Sequence, residues 1–217
     1  FTRLFGANAS KNVSNGTKKD NGCGKMADFT TAALAEIRKL GATHVWYTGL
    51  IEHATKSDFT QYGIPKDHPA VVKGNAGSPY AIKDYYDIDP DLATKVPERM
   101  KEFERLVMRT HKAELKVIID FVPNHVARQY HSDSKPEGVR DLGEDDDTTM
   151  SFNPHNNFYY IPNAAFSPNF TLSDEEMRDY VEKPAKVTGN DCFTQWAGQN
   201  DWYETVKINY GDNYTGT

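Results

Sequence analysis

The densest group of side chains able to do chemistry closes an apolar run at Lys116–His125. Asp120 interrupts the run, and Asn124 and His125 end it. A carboxylate in an apolar strand is costly unless it is paired or hydrogen-bonded, and strand alternation places Asp120, Val122 and Asn124 on one face. Barrel enzymes keep their chemistry at such strand ends. On physics alone, a strand-ending turn with a satisfied Asp is the simpler interpretation.

The elements around this group predict how it is positioned. The β-branched run at residues 117–119 is typical of a parallel strand buried on both faces. Just upstream, apolar residues recur at helical spacing and predict a helix over Thr94–Leu115. Thr94 is its predicted N-cap, with Pro97 in the first turn.

A second helix and strand are predicted earlier in the chain. The helix runs from about Phe29 to Leu40, is capped by Asp28 or Thr30 and ends at Gly41. Its predicted buried stripe consists of Ala33, Leu34, Ile37 and Leu40. The β-prone segment Thr43–Thr48 is the next strand. Helix, strand, loop, helix and strand in this order predict an α/β fold with parallel strands.

Two long irregular stretches separate or follow these elements. Clear helical or strand periodicity is missing from Gly49–Ala93 and from the chain after Val126. Loops of this length in a compact domain are either functional or misassigned. We interpret them as functional, because both would leave the same ends of neighbouring parallel strands. Residues 127–209 are predicted to form a small subdomain, with a short helix at Asp174–Glu182 from a capping-box pattern. Residues 210–217 are predicted to be a tail.

Composition argues against two classes of partner. The net charge is −6 and Lys and Arg are not clustered, which argues against nucleic acid. No apolar run approaches the roughly 20 residues of a membrane span.

Cys23 and Cys192 could pair or stay free. The opening Phe1–Phe5 resembles the end of a strand and shows no signal peptide, so we expect the precursor's N-terminus to lie outside this sequence.

Several motifs together resemble one enzyme family. Asp120-Phe-Val-Pro-Asn124-His125 resembles the first signature region of the alpha-amylase family of glycoside hydrolases, Asp-x-Val-x-Asn-His, at the end of the third barrel strand. Ser78–Pro90 is similar to the family's second strand-to-helix loop. Phe1–Gly6 is similar to its first strand, and Trp46-Tyr47-Thr48 lies where its second strand usually carries a Trp.

This resemblance implies a fold and a division of the chain. The fold class would be α/β, a partial (β/α)8 TIM barrel with about the first three strands and two helices at residues 1–126. An irregular domain B insertion would follow the third strand at residues 127–209. Two positions depart from the family pattern: Pro79 replaces a common Gly, and Ala93-Thr94 replaces Gly-Thr.

The resemblance also implies roles for individual residues. His125 would hydrogen-bond the sugar at the cleavage subsite, and Tyr80 would stack on the same sugar. Asn124 would give an oxygen ligand to a Ca²⁺ ion between the barrel and domain B. Asp120 would be a structural carboxylate in the site, and Asp84 would hold the loop of Tyr80. For Tyr80 and Asn124, an ordinary surface Tyr and a turn residue remain the alternatives.

The resemblance places the chemistry outside this chain. A retaining mechanism uses two carboxyl groups roughly 5–5.5 Å apart, and in the family these and a third carboxylate come from the fourth, fifth and seventh strands. We therefore expect no catalytic carboxylate here and no activity from the chain alone. Asp145–Asp147 is interpreted as a solvated acidic turn, and no metal is assigned to the loop at Asn21–Lys25.

Three functions follow as hypotheses. The first is hydrolysis of α-1,4-glucans such as starch by an exported parent protein, with the remainder of the barrel as partner. The second is a related α-glucosidase, transglycosylase or isomerase. The third is a non-catalytic glucan-binding protein on a degenerate scaffold. In each case an unclosed barrel would expose an edge and an apolar face, so we expect the isolated chain not to be a well-folded monomer.

Overall fold

A pair of parallel strands forms the centre of the N-terminal part of the molecule. The computed structural model describes residues 1–8, 11–14, 16–173, 175 and 178–213. Strand β1, His44–Tyr47, pairs with β4, Lys116–Ile119, in parallel register from His44 opposite Lys116 to Tyr47 opposite Ile119. The predicted parallel α/β arrangement is therefore confirmed.

Within the described residues, three α-helices accompany this pair: α1, Lys18–Asn21; α2, Thr31–Lys39; and α3, Arg99–Lys112. Thr30 caps α2, because its side chain accepts a hydrogen bond from the Ala33 N–H, and this confirms one of the two predicted caps. Helices α2 and α3 pack on one side of the strands over a common core. Its members include Leu34, Tyr47, Leu50, Leu92, Leu106 and Leu115.

The predicted bounds of these helices need correction. Helix α3 begins at Arg99 after a 3-10 turn at Val96–Glu98, and Thr94 is not its N-cap. The Thr94 backbone N–H instead donates to Glu102 Oε2 at 2.9 Å, which holds the preceding chain against the helix. Leu40 is exposed rather than buried, because it follows the last turn of α2 and points away from the core.

The first predicted strand is also wrong. Residues Thr2–Leu4 form a 3-10 helix rather than a strand. The Thr2 N–H donates to the Thr48 carbonyl at 3.0 Å, so this segment lies beside the end of β1 without extending the sheet. A single backbone contact does not establish a strand ladder.

The stretch predicted to be irregular contains an antiparallel pair. Strand β2, Ile51–His53, pairs with β3, Ile82–Ile88, with irregular register between them. Part of this region was therefore misassigned as loop, because the interior of β3 consists of charged residues and tyrosines and lacks an apolar period. Asp84 lies within β3.

Within the described residues, the predicted subdomain and the two residues before it contain four short strands in two antiparallel pairs. Strand β5, His125–Ala127, pairs with β8, Thr205–Lys207. Strand β6, Tyr160–Ile161, pairs with β7, Ala185–Lys186. The boundary predicted at residue 126 stays a prediction.

Part of the predicted helix Asp174–Glu182 lies outside the described residues, at positions 174, 176 and 177. Residues 178–182 form a turn and an irregular segment. The Cys23 and Cys192 thiols are both free. In the part of the chain that the structure describes, no helix is long and apolar enough to cross a membrane.

Candidate functional site

Tyr80 and His125, which are far apart in the chain, line the same cavity. Its volume is about 430 Å³. The lining residues are Lys73, Ser78, Tyr80, Val122, His125, Trp202, Glu204 and Thr205. The structure thus brings together the two side chains for which the sequence predicted a shared role.

The position of His125 follows from the start of β5. His125 pairs with Lys207 of β8. Only 5% of the surface of His125 is exposed. The Trp202 ring centroid lies 5.0 Å from the imidazole centroid at an angle of 51°. Gly189 packs so closely that a Cβ there would lie 2.9 Å from His125 Cβ. The ring is therefore fixed from several sides.

The electrostatics of His125 favour a neutral ring. Burial lowers the pKa of His125, and a hydrogen bond to the Tyr80 backbone opposes that shift without cancelling it. Nδ1 is buried and has no hydrogen-bond partner among the described residues. A neutral imidazole can both donate and accept hydrogen bonds, so the ring suits a hydroxyl-rich ligand.

Tyr80 is presented by a turn just before β3. The Tyr80 N–H donates to Ser78 Oγ at 3.3 Å, and the Ala81 N–H donates to the Ser78 carbonyl at 3.0 Å. The Tyr80 ring contacts Phe1 edge-on, with 6.0 Å between centroids, and the side chain remains partly exposed. An aromatic face is therefore available at the mouth of the cavity.

The sequence did not single out Trp202 and Glu204. Glu204 is buried, and burial raises the pKa of its carboxyl group, while Lys73 opposes the shift from 3.5 Å. The aromatic and β-branched run around Trp202 could have indicated a strand. No spacing rule connects that run to His125, because the two meet only through the β5–β8 pairing.

Asp120 and Asn124 do not share a strand face. Strand β4 ends at Ile119, and His125 starts a strand of a different sheet, so residues 120–124 link two sheets. The Asp120 N–H donates to the Tyr47 carbonyl at 3.4 Å, and Asp120 does not line the cavity. The prediction that one strand continues through Asp120 to Asn124 is therefore wrong. The backbone pairing of β4 with β1 ends at Ile119, where the chain turns away.

The role of Asn124 as a calcium ligand stays a prediction. Its residue is exposed, and its backbone carbonyl accepts a hydrogen bond from the Ile208 N–H at 3.1 Å. Its side-chain oxygen is the atom that the prediction assigns to the ion. Among the described residues, the group of acidic side chains close enough to hold a metal ion lies elsewhere, at Glu52, Asp84, Asp87 and Asp133.

Asp84 lies outside the cavity. It is fully buried in β3, where its carboxylate accepts hydrogen bonds from the N–H groups of Tyr86 at 2.7 Å and Ser134 at 3.3 Å. These contacts hold β3 to the segment after β5. They are compatible with an indirect effect on Tyr80, whose turn leads directly into β3.

The cavity is chemically suited to binding rather than to bond cleavage. Its lining, taken over the described residues, includes two aromatic rings, an imidazole, an ammonium and a single carboxylate, that of Glu204. A retaining glycosidase needs a pair of carboxyl groups roughly 5–5.5 Å apart. This set of residues supplies only one.

Comparison with known proteins gives a consistent picture. The family model described as the alpha amylase catalytic domain matches residues 14–209. A trehalose-6-phosphate hydrolase of Bacillus subtilis and an amino acid transporter heavy chain of Rattus norvegicus are each 45% identical over 51 residues, or 24% of this chain. These alignments cover only 8% and 7% of the two relatives.

A solved structure is similar at the sequence level. The crystal structure of an alpha-amylase from Lactobacillus plantarum is 28% identical, covering 59% of this chain and 22% of that protein. The TM-score is 0.37, so the superposition carries no argument about the fold. This chain thus spans a small part of the proteins that it matches.

Proposed function

This chain belongs to the alpha-amylase family of glycoside hydrolases, and on that premise we propose that it is part of a retaining enzyme that hydrolyses α-1,4-glucosidic bonds in starch and maltooligosaccharides. In this proposal it contributes the first part of a (β/α)8 barrel and a domain B insertion. Strands β1 and β4 are parallel, and helix α3 lies between them in the chain. This order supports that arrangement. Because starch is a large substrate, we also propose that the parent protein is exported.

The observation that carries the proposal is the cavity shared by Tyr80 and His125. A glucose ring has apolar C–H faces that pack against an aromatic side chain, and hydroxyl groups that hydrogen-bond to an imidazole. His125 lines this cavity, so its ring is placed beside the space that such a sugar would fill. Trp202 offers a second aromatic surface beside His125.

In this mechanism the chain binds and orients the sugar. His125 would hold hydroxyl groups of the sugar while Tyr80 covers one of its faces, and positioning of this kind contributes to the rate. The carboxylates that attack and protonate the glycosidic bond would come from other parts of the parent protein. The isolated chain is therefore predicted to be inactive.

A related specificity is the second candidate function. The similarity to trehalose-6-phosphate hydrolase covers a 51-residue stretch of this chain. An α-glucosidase or transglycosylase of the same family would use the same sugar-binding residues. Comparing the products formed from starch, maltose and sucrose would distinguish these activities.

A non-catalytic role is the third candidate. The amino acid transporter heavy chain matches with the same identity over the same length as the hydrolase does. A match of this identity and length therefore cannot distinguish a glycosidase from a protein named for transport. The discriminating feature is whether a nucleophile and an acid/base carboxylate are present in the parent protein.

The direct test is the activity of the natural gene product on maltoheptaose. We expect cleavage with the α-anomer as first product, detected by NMR, and no cleavage by the 217-residue chain. His125→Ala should lower kcat/KM by roughly tenfold or more through loss of hydrogen bonds. His111→Ala, at an exposed site in the last turn of α3, is the matched control. Failure of the natural protein to cleave any α-glucoside would reject the enzymatic proposal.

A further inference from the structure

Two oppositely charged side chains line the sugar cavity together with His125. Among the described lining residues, Lys73 supplies the one ammonium and Glu204 the one carboxylate. Lys73 Nζ lies 3.5 Å from Glu204 Oε2. His125 adds no positive charge while its ring is neutral, and burial lowers the pKa of that ring. The charges of the lining residues therefore balance each other.

Lys73 is the member of the pair that a ligand can reach. Its side chain is 40% exposed, whereas that of Glu204 is 6% exposed. The ammonium also donates a hydrogen bond to the Asp201 carbonyl at 3.2 Å and lies 5.2 Å from the centre of the Tyr203 ring. A lysine carries three N–H donors, so Asp201 and Glu204 can engage two of them while the third remains for a sugar hydroxyl.

Glu204 is held in place immediately before β8. The Arg128 backbone N–H donates to the Glu204 carbonyl at 2.9 Å. Burial raises the pKa of the Glu204 carboxyl group, and the Lys73 ammonium opposes that shift. Arg128, a second cation near Glu204, is itself paired with Glu182 at 2.6 Å. The Glu204 carboxylate is therefore available to balance the charge of Lys73.

Asp201 places a further carboxylate close to Lys73. Asn190 Nδ2 donates to Asp201 Oδ1 at 2.9 Å, and the Gly198 N–H donates to Oδ2 at 2.6 Å. These hydrogen bonds lower the pKa of Asp201, and the charge of Lys73 acts in the same direction. Asp201 therefore stays ionised, and an anion approaching Lys73 would meet two carboxylates beside a single ammonium.

We propose that Lys73 and Glu204 are a specificity-determining pair that admits a neutral glucosyl unit and disfavours a phosphorylated one. This inference rests on the proposed function, because it concerns the sugar held by Tyr80 and His125. Phosphate is bound strongly by charge-assisted hydrogen bonds from cationic side chains. At this cavity the cation is already paired, and a phosphate beside it would also face the carboxylate of Glu204, which like-charge repulsion makes unfavourable.

A sugar hydroxyl is affected differently by the same pair. It carries no net charge, so it is not repelled by Glu204, and it can accept a hydrogen bond from the exposed ammonium of Lys73. Because Glu204 is buried, it acts through Lys73 rather than by contact with the ligand. Glu204 is therefore a positioning residue that sets the charge of the site.

Calorimetric titration of the natural gene product with maltose, maltose 6′-phosphate and maltose 1-phosphate tests the pair. The two phosphates place the charged group on one or the other glucose ring. We expect neither phosphate to bind more tightly than maltose, and at least one of them to bind about tenfold more weakly. This preference should shrink as the salt concentration rises, because screening weakens repulsion between charges.

Opposite changes of charge should move the preference in opposite directions. Glu204→Gln keeps the size of the side chain, leaves Lys73 less balanced and should reduce the preference for maltose about threefold or more. Lys73→Met removes the cation, leaves the carboxylate and should increase the preference. Glu104→Gln and Lys101→Met, at exposed sites on α3, make the same charge changes and should leave the preference as it is in the wild type.

The ratio of the dissociation constants separates charge from folding. Loss of folding would weaken the binding of all three sugars alike and leave their ratio unchanged, and Lys73→Met is the less disruptive variant because its side chain is half-exposed. The inference is overturned if either phosphate binds the wild-type protein more tightly than maltose, or if both bind as tightly. It is equally overturned if the folded variants leave the ratio unchanged or shift it against the predicted direction. A wild-type protein that binds none of the three sugars would reject the proposed function, and the inference with it.

Discussion

His125 shows how burial prepares one side chain for binding. Its pKa is lowered from 6.5 mainly by burial. The folded state therefore holds fewer protons on this ring than the unfolded state just below pH 6.5, so this group makes folding less favourable as the pH falls through that range. Above that range the ring is neutral in both states and the effect disappears.

An NMR titration of the His125 ring protons in the natural gene product tests this shift. We predict an apparent pKa below 6.5 in the folded protein and a value near 6.5 for the same ring in urea, where burial is lost. Sugar binding through His125 should then persist as the pH falls slightly below neutrality. A folded-state pKa at or above the urea value would contradict the proposed desolvation.

Trp202 is the residue-scale addition that the structure makes to the sugar site. We predict that Trp202→Ala in the natural gene product weakens maltoheptaose binding by about tenfold, because the residue supplies an aromatic wall next to His125. Trp196→Ala is the matched control, since Trp196 is also exposed but does not line the cavity. Equal effects of the two variants in calorimetry would argue against a specific role.

At the scale of elements, Arg128 holds the insertion together. Its guanidinium is buried and pairs with Glu182 at 2.6 Å. It also donates to the carbonyls of Tyr203, Lys186 and Thr205 at 2.8, 3.1 and 3.2 Å. One side chain thus connects the strand pairs β5–β8 and β6–β7 through their backbones.

We predict that Arg128→Leu opens the insertion. The substitution leaves a buried carboxylate and several carbonyl groups without their donor, at a cost of about 3–5 kcal/mol for the broken buried pair. Limited proteolysis followed by mass spectrometry should show faster cleavage within residues 127–209. Arg140→Leu, which removes an exposed arginine from the same region, should leave the rate near wild type. Comparable cleavage of both variants would show that Arg128 is not the organising contact.

At the scale of the whole molecule, the parallel strand pair leaves apolar surface uncovered. Trp46 and Phe121 are each 63% exposed, and Ile118 and Ile119 are also exposed. Within the described residues, β1 and β4 pair only with each other, so each keeps an open edge. Open edges and contiguous apolar surface favour association between chains.

We therefore predict that the isolated 217-residue chain self-associates as its concentration rises, as measured by size-exclusion chromatography with light scattering. Ile118→Lys should increase the monomer fraction, because it places a charge on the uncovered face. Leu40→Lys adds the same charge at an exposed site at the end of α2 and should have little effect. A soluble monomer with cooperative thermal unfolding would show that the exposed face is tolerated.

Local patterns in the sequence determined α2, α3 and the β1–β4 pair. Helical spacing and the Thr30 cap located α2, and the β-branched run located β4 beside β1. These elements are predictable because each depends on the spacing and type of neighbouring residues. The resemblance carried by Asp120–His125 and by the segment around Tyr80 likewise led to the family from the sequence alone.

Contacts between distant residues were decided only by the tertiary structure. The β2–β3 pair has no period that marks it, the apparent long strand breaks at Ile119, and Trp202 reaches His125 only through the β5–β8 pairing. The convergence of Glu52, Asp84, Asp87 and Asp133 is equally invisible in the sequence, where each is one acidic residue among many. The physical reason is that pairing and burial across long separations depend on the whole chain's packing, which local periodicity does not encode.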